Sequence, residues 1–131
     1  MSDDPDHALG TVVADYVAAW NSADESDRRA LLERSFAADG RYLDPTARIE
    51  GREALVGHAR RFATRWPGAV IERTSAVDVH GDGACFTWRV CGPDGVTVHE
   101  GIDVVIAGPD GRLREVRGFF GAYRSPYPSP R

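Results

Sequence analysis

Lysine is absent from this sequence of 131 residues, in which all sixteen basic side chains are arginine. Its absence excludes Schiff-base chemistry through a lysine amine. The formal net charge is −4 and no run of basic residues appears, so we expect no nucleic-acid partner. No stretch approaches the roughly 20 apolar residues that cross a membrane, and the acidic start Met1–Asp4 is unlike a signal peptide. We therefore expect a cytoplasmic protein with no membrane partner.

Cysteine is scarce, and the two present, Cys85 and Cys91, fall within one predicted strand. Six residues of strand separate them by roughly 20 Å, whereas a disulfide requires Cα atoms about 4.4–6.8 Å apart. We interpret them as reduced packing residues. The sequence also lacks metal-ligand spacing, a phosphate-binding loop and the residue order of a Ser-His-Asp triad. It therefore predicts neither a metal nor an organic cofactor.

The first half of the chain has the apolar periodicity of helices. Asp4 before Pro5 predicts the start of a helix that ends near Asn21. Further helices and short strands are predicted over Ser26–Phe36, Arg41–Leu43, Ala47–Ile49 and Gly51–Trp66, with a turn at Ala37–Gly40. This half therefore contributes three helices.

The second half alternates with a period of two and is divided by turns that combine Gly with Asp or Pro. The predicted strands are Ala69–Val79, Ala84–Cys91, Val96–Ala107 and Leu113–Phe120. Helices followed by an antiparallel meander predict an α+β fold with the helices on one face of the sheet. We expect one domain over residues 1–121 and a flexible Pro-rich tail over residues 122–131.

Asp103 is the most informative residue because it lies within Ile102–Ile106, the most apolar predicted strand. A lone carboxylate there costs several kcal/mol unless it is paired, hydrogen-bonded or protonated. We therefore predict a buried carboxyl group with a raised pKa. Strand alternation leaves open whether this group faces a pocket or an outer, dimer-forming surface.

Four other residues stand out by their positions in the predicted elements. Asp44 follows a short strand and precedes Pro45, which fits either a turn former or a base. Tyr16 lies on the apolar stripe of the first helix, where a core position is usual. His58 on the third helix fits a core histidine or a proton carrier in a pocket. Trp88 alternates with apolar residues and fits the core of the sheet.

Six segments, taken together and in order, carry a resemblance to a known family: Tyr16–Asn21, Arg41–Pro45, Glu50–Leu55, Glu100–Val105, Asp110–Leu113 and Gly118–Gly121. Over roughly residues 8–121 the chain resembles the nuclear transport factor 2-like superfamily. Within it the chain is similar to ketosteroid isomerases and SnoaL-like polyketide cyclases. The resemblance implies three helices on a strongly curved, mainly antiparallel sheet (a cone-shaped α+β barrel), a homodimer formed through the outer sheet face, and no cofactor.

The similarity to the isomerases implies roles for three residues. Tyr16 matches the oxyanion-hole tyrosine, Asp44 the general base, and Asp103 the carboxylic acid kept protonated to donate a second hydrogen bond. It also implies a pocket for a small apolar or carbonyl-containing ligand, lined by Trp20, His58, Phe62, Trp88, Val116 and Phe120.

Two departures from the isomerase pattern argue against a steroid substrate. Ala59 stands where the isomerases carry a further tyrosine on the third helix. Trp20 stands where a smaller apolar residue is usual, so the pocket is expected to be shorter.

Two functions from different classes fit these observations. The first is acid–base isomerisation or cyclisation of a small carbonyl compound without a cofactor, with aldol closure or epoxide opening as related reactions. The second is a non-catalytic, dimeric ligand-binding or association module, in which the outer face with Arg117 and Phe119 matters. A cavity reached by Tyr16, Asp44 and Asp103 favours the enzyme, and one plugged by aromatic side chains favours the module.

Overall fold

Three helices lie against a sheet in the computed structural model, which describes residues 5–121 and their side chains from residue 8 onward. The helices are α1 (Pro5–Asn21), α2 (Glu25–Ser35) and α3 (Arg52–Arg65). They confirm the predicted helices to within a residue or two, which is the usual uncertainty of helix ends. The predicted cap Asp4 and the predicted tail 122–131 lie outside the described residues.

A buried arginine fixes the connection between α1 and α2. Arg28 is only 3% exposed and donates to the main-chain carbonyls of Ala19 and Ser22. It also pairs with Glu25 at 2.6 Å, so its charge is compensated. These bonds anchor the C-terminal end of α1, which carries Trp20.

The sheet has seven strands, which are β1 (Phe36–Asp44), β2 (Ala47–Glu50), β3 (Val70–Arg73), β4 (Asp78–His80), β5 (Gly83–Cys91), β6 (Thr97–Ala107) and β7 (Leu113–Phe120). The order is β2-β1-β7-β6-β5-β3, and β4 also pairs with β5. The β1–β7 pair is parallel and the other pairs are antiparallel. The α+β class and the mainly antiparallel, curved sheet are thus confirmed. The sheet is not closed, so the predicted barrel is wrong.

The single strand predicted over Ala69–Val79 is also wrong, because the chain forms β3 and β4 with a break between them. Within the break the hydroxyl of Ser75 accepts the main-chain N–H of Thr87 at 2.8 Å. A side chain therefore takes the place of the strand carbonyl that would otherwise accept this N–H. Thr74 remains bonded to the sheet through its own N–H, which donates to the Thr87 carbonyl at 2.8 Å.

The predicted turn at Ala37–Gly40 is instead an irregular part of β1. The register passes from Phe36 opposite Leu113 to Arg41 opposite Glu115, so β1 uses more residues than β7 over the same distance. Such a bulge bends a strand. It brings the end of β1 beside the inner face of the sheet.

The inner face of β6 packs under the helices. Gly101, Asp103 and Val105 are buried, whereas Val104 on the opposite face is exposed. Asp103 therefore faces inward, toward the helices, and not the outer surface of the sheet. Phe119 on β7 is 51% exposed and points outward as predicted. The largest fully buried side chains of the core are Tyr16, Phe36, Leu32, Leu55, Leu113, Val13, Val56, Val105 and Val116.

Candidate active site

A cavity of about 580 Å³ lies between α1, α3 and the inner face of the sheet. This volume is ordinary for a site that takes a small molecule. Most of its wall is apolar or aromatic: Val17, Trp20, Phe62, Trp66, Ile71, Phe86, Trp88, Val90, Val98 and Phe120. The polar and charged side chains that line it are Tyr16, Tyr42, Asp44, Thr46, His58, Arg61, Arg65, His99 and Asp103.

Asp103 lies in the wall formed by β6 and is 9% exposed. Its Oδ1 accepts the indole N–H of Trp88 at 2.9 Å. Burial raises the pKa of Asp103 from 3.8 to about 7; the bond from Trp88 lowers it in part, and the charge of Asp44 raises it again. The predicted burial is confirmed, and it raises the pKa of Asp103 in the predicted direction. A carboxyl group in this state is partly protonated at neutral pH and can then donate a hydrogen bond from Oδ2.

The position of Trp88 depends on a glycine in the neighbouring strand. Gly101 lies opposite Trp88 in the β5–β6 ladder. A Cβ at Gly101 would come within 2.5 Å of the Trp88 ring and 2.2 Å of the Phe119 carbonyl oxygen, so no side chain fits there. The indole therefore lies over the glycine and reaches Asp103 two residues further along β6.

Asp44 closes β1 at the edge of the cavity. Its Oδ1 accepts both the main-chain N–H and the hydroxyl of Thr46, at 2.7 and 2.8 Å. Its Oδ2 accepts the hydroxyl of Tyr42 at 2.5 Å. An ionised carboxylate offers about four acceptor positions, so these three donors leave one for a ligand. Asp44 thus shapes the turn and lines the cavity at once.

Gly118 on β7 separates the two aspartates. It lies opposite Asp103, and a Cβ placed on it would be 3.1 Å from Asp103 Oδ1 and 3.4 Å from the Cβ of Asp44. The two acidic side chains therefore stand on either side of one glycine. Their proximity explains why the charge of Asp44 affects the pKa of Asp103.

The hydroxyl of Tyr16 is buried and forms no hydrogen bond with any described residue. Burial raises the pKa of Tyr16 well above its ordinary value, and the charge of Asp103 adds to this effect. The Trp20 side chain approaches closely enough to oppose the rise, although no atom meets hydrogen-bond geometry with the hydroxyl. A buried, unpartnered hydroxyl costs free energy that a ligand oxygen can recover.

An aromatic cluster with members on α1 and α3 forms another part of the cavity wall. The Trp20 ring lies 5.6 Å from both His58 and Phe62, and His58 lies 5.4 Å from Tyr42. Burial lowers the pKa of His58, and the charge of Asp44 raises it in part. His58 is therefore a neutral imidazole at physiological pH that belongs to the cavity wall.

All three predicted catalytic residues, Tyr16, Asp44 and Asp103, line this one cavity. Of the predicted pocket residues, Trp20, His58, Phe62, Trp88 and Phe120 line it as well. Val116 is a correction: it is fully buried in the core and is not among the lining residues. Tyr42 and Val105 lie beside it in the two adjacent strands.

Five polar lining residues were missed by the sequence analysis: Tyr42, Thr46, Arg61, Arg65 and His99. Tyr42 precedes Asp44 by two residues on the same strand face, so strand alternation could have identified it. Arg61 lies three residues after His58, and Arg65 lies three residues after Phe62. Helical spacing could therefore have identified both arginines as cavity residues. His99 shares the inner face of β6 with Asp103, and its ring lies 4.4 Å from that of Phe120.

Neither a cluster of three metal-ligating side chains nor a membrane-spanning helix is found in the part of the chain that the structure describes. Within residues 5–121 no three His, Cys, Asp or Glu side chains are grouped to hold a metal ion. Within the same range no helix is long and apolar enough to cross a membrane.

The fold and the cavity define a pocket protein of the nuclear transport factor 2-like superfamily. The chain belongs to the SnoaL-like family, since the SnoaL-like domain model matches residues 13–126. A SnoaL-like family protein from Agrobacterium tumefaciens strain C58, with a provisional assignment as an isomerase, is 33% identical. The match covers 88% of this chain and 99% of that one, with a TM-score of 0.83. No protein of curated function matches the sequence.

Two more distant structures share the fold. A protein from Jannaschia sp. CCS1, provisionally assigned as a SnoaL-like polyketide cyclase, is 17% identical with a TM-score of 0.73, covering 92% of this chain and 90% of that one. A protein with a ketosteroid isomerase-like fold from Catenulispora acidiphila DSM 44928, in complex with trimethylamine, is 20% identical with a TM-score of 0.67. That match covers 88% of this chain and 85% of the other.

Proposed function

We propose that the protein is a cofactor-independent acid–base isomerase or cyclase that acts on a small carbonyl compound. The observation that carries the proposal is the convergence of three groups on one cavity. These are the unpartnered Tyr16 hydroxyl, the partly protonated Asp103 carboxyl and the Asp44 carboxylate. The SnoaL-like relatives assigned as an isomerase and as a cyclase support the same reaction class.

The proposed reaction begins at a carbon next to the carbonyl group. Asp44 removes a proton from this carbon and the electron pair of the C–H bond forms an enolate. Tyr16 and protonated Asp103 donate hydrogen bonds to the enolate oxygen, where charge develops. In an isomerisation Asp44 returns the proton to another carbon. In a cyclisation the enolate carbon attacks a second carbonyl group, whose π electrons move to its oxygen, and the resulting alkoxide takes the proton back from Asp44. No redox step is required.

The experiment uses 3-cyclohexen-1-one, whose isomerisation to the conjugated ketone is followed by proton NMR. We expect the protein to isomerise this compound faster than a protein-free buffer that contains acetate does. Asp44→Asn should reduce the rate by about 10²–10⁴-fold, because the amide cannot accept the proton. Tyr16→Phe should slow it less, because Asp103 still donates one bond. Asp15→Asn is the matched control and should leave the rate unchanged, because Asp15 is half-buried on α1, pairs with Arg34 at 3.4 Å and does not line the cavity.

The non-catalytic alternative is supported by the hydrogen bonds of Asp44. Three donors from Tyr42 and Thr46 already hold its carboxylate, as expected of a turn-forming aspartate. In that case the cavity binds a ligand without changing it. A rate equal to that of buffer, or one unaffected by Asp44→Asn, would favour this alternative.

A further inference from the structure

Two arginines line the same cavity as the acidic residues. Arg61 and Arg65 are four residues apart on α3 and therefore lie on one helix face, together with His58 and Phe62. Both arginines are exposed, as is Trp66 beside them. The guanidinium groups thus lie at the open edge of the cavity and not in its interior.

Neither arginine has an acidic partner among the residues that the structure describes. Other arginines on this helix are engaged: Arg60 pairs with Glu25 at 3.4 Å, and Arg52 donates to the Phe36 carbonyl at 2.8 Å. Arg61 and Arg65 form no ion pair within residues 8–121. The recorded contact of Arg65 places its guanidinium carbon 5.3 Å from the Trp66 ring centroid. Like charges four residues apart disfavour a helix, so an anion between them would relieve repulsion.

The cavity is therefore polarised between its sheet wall and α3. The acidic side chains, Asp44 and Asp103, lie in the sheet wall, and the two unpaired cations lie on α3 at the opening. The positive charge of Arg61 extends far enough inward to contribute to the lowered pKa of His58. An anionic group entering this cavity would be repelled by the aspartates and held at the opening.

We propose that the ligand is a small carbonyl compound that carries a carboxylate at the end remote from its carbonyl group, and that Arg61 and Arg65 bind this carboxylate. The inference rests on the proposed function for the position of the carbonyl group. Guanidinium forks match the planar geometry of a carboxylate and bind it through paired N–H donors. The arginines are thus specificity-determining residues, and they orient the ligand so that its carbonyl end meets Tyr16.

The test is isothermal titration calorimetry with 4-acetylbenzoate and its neutral counterpart 4-acetylbenzamide. These probes share a methyl ketone opposite the group that differs. We expect the intact protein to bind the carboxylate about tenfold more tightly than the amide at low salt. Arg61→Met combined with Arg65→Met should remove this preference by weakening the binding of the carboxylate more than that of the amide. Arg60→Met, on the same helix, is the matched control and should retain the preference.

Three outcomes would overturn the inference: equal affinities for the two probes, a preference that survives in the double variant, and no binding of either probe. A preference that survives would mean that the carboxylate binds at Tyr16 and Asp103 instead. Deuterium exchange into the methyl ketone of bound 4-acetylbenzoate separately tests the proposed chemistry. Arginine-dependent binding without exchange would disprove the catalytic proposal and leave the assignment of the anion site intact.

Discussion

Replacing the buried carboxyl group of Asp103 with a neutral amide should stabilise the protein at high pH and not at low pH. Asp103→Asn keeps the shape of the side chain and an oxygen that can accept the Trp88 indole N–H. What it removes is the ionisation of a group that is only 9% exposed. The variant therefore isolates the free energy of placing a negative charge in the cavity wall.

The magnitude follows from the pKa of Asp103, which burial raises from 3.8 to about 7. Each pKa unit corresponds to about 1.4 kcal/mol, so the difference amounts to roughly 4 kcal/mol. Because the pKa in the folded state is the higher one, wild-type stability is fully present below about pH 4. It is lost progressively as the pH rises to about 7, and above that the loss is constant. Asp103→Asn should not show this loss.

Urea unfolding followed by circular dichroism at pH 4.5, 6 and 8 measures the difference between the two proteins. The free energy of unfolding of Asp103→Asn relative to wild type should increase by several kcal/mol across this range. Asp110→Asn is the control: Asp110 is exposed and the N–H of Arg112 lowers its pKa, so its effect should have the opposite sign. A difference between Asp103→Asn and wild type that does not change with pH would refute the reasoning.

Three further predictions concern the surroundings of the acidic residues and the outer sheet face. Trp88→Phe should raise the pKa of Asp103 above about 7, because the hydrogen bond from the indole N–H, which lowers this pKa, is lost. Carbon-13 NMR titration of the Asp103 carboxyl group measures this pKa. An unchanged pKa would contradict the prediction. Gly118→Ala should displace the Asp103 carboxyl and cost about 1–3 kcal/mol in unfolding free energy, because the new methyl group would lie 3.1 Å from Oδ1; unchanged stability and an unchanged pKa of Asp103 would contradict this. We also propose that two copies pair through the outer sheet face, where Phe119 and Val104 are exposed; Phe119→Glu should then sediment as a monomer at micromolar concentration, and a monomeric wild type would disprove the pairing.

Local patterns in the sequence predicted the elements that local physics determines. Helical spacing gave the three helices, and β7 has the predicted limits Leu113–Phe120. The burial and the raised pKa of Asp103 followed from one charged residue in an apolar strand. None of these inferences required knowledge of which elements meet.

The features that the sequence did not predict depend on contacts between distant segments. The break between β3 and β4 arises because Ser75 bonds to Thr87, twelve residues away. Val116 has the right strand parity for the pocket, but parity does not show that other side chains cover it. Asp44 is both a turn former and a cavity residue, because it bonds to Thr46 and also faces a cavity that distant segments complete. These outcomes depend on the curvature of the sheet and on its distance from α3.

The placement of the indole groups has a spectroscopic consequence. All three tryptophans of the sequence, Trp20, Trp66 and Trp88, line the cavity. All tryptophan fluorescence of the protein therefore comes from residues in the wall of this cavity, and no tryptophan elsewhere contributes to it. The indole N–H of Trp88 donates a hydrogen bond to the carboxyl group of Asp103, whose pKa is about 7. The fluorescence of Trp88 should therefore also change as Asp103 gains or loses its proton. The protein can therefore serve as its own unlabelled sensor when compound libraries are screened for its ligand.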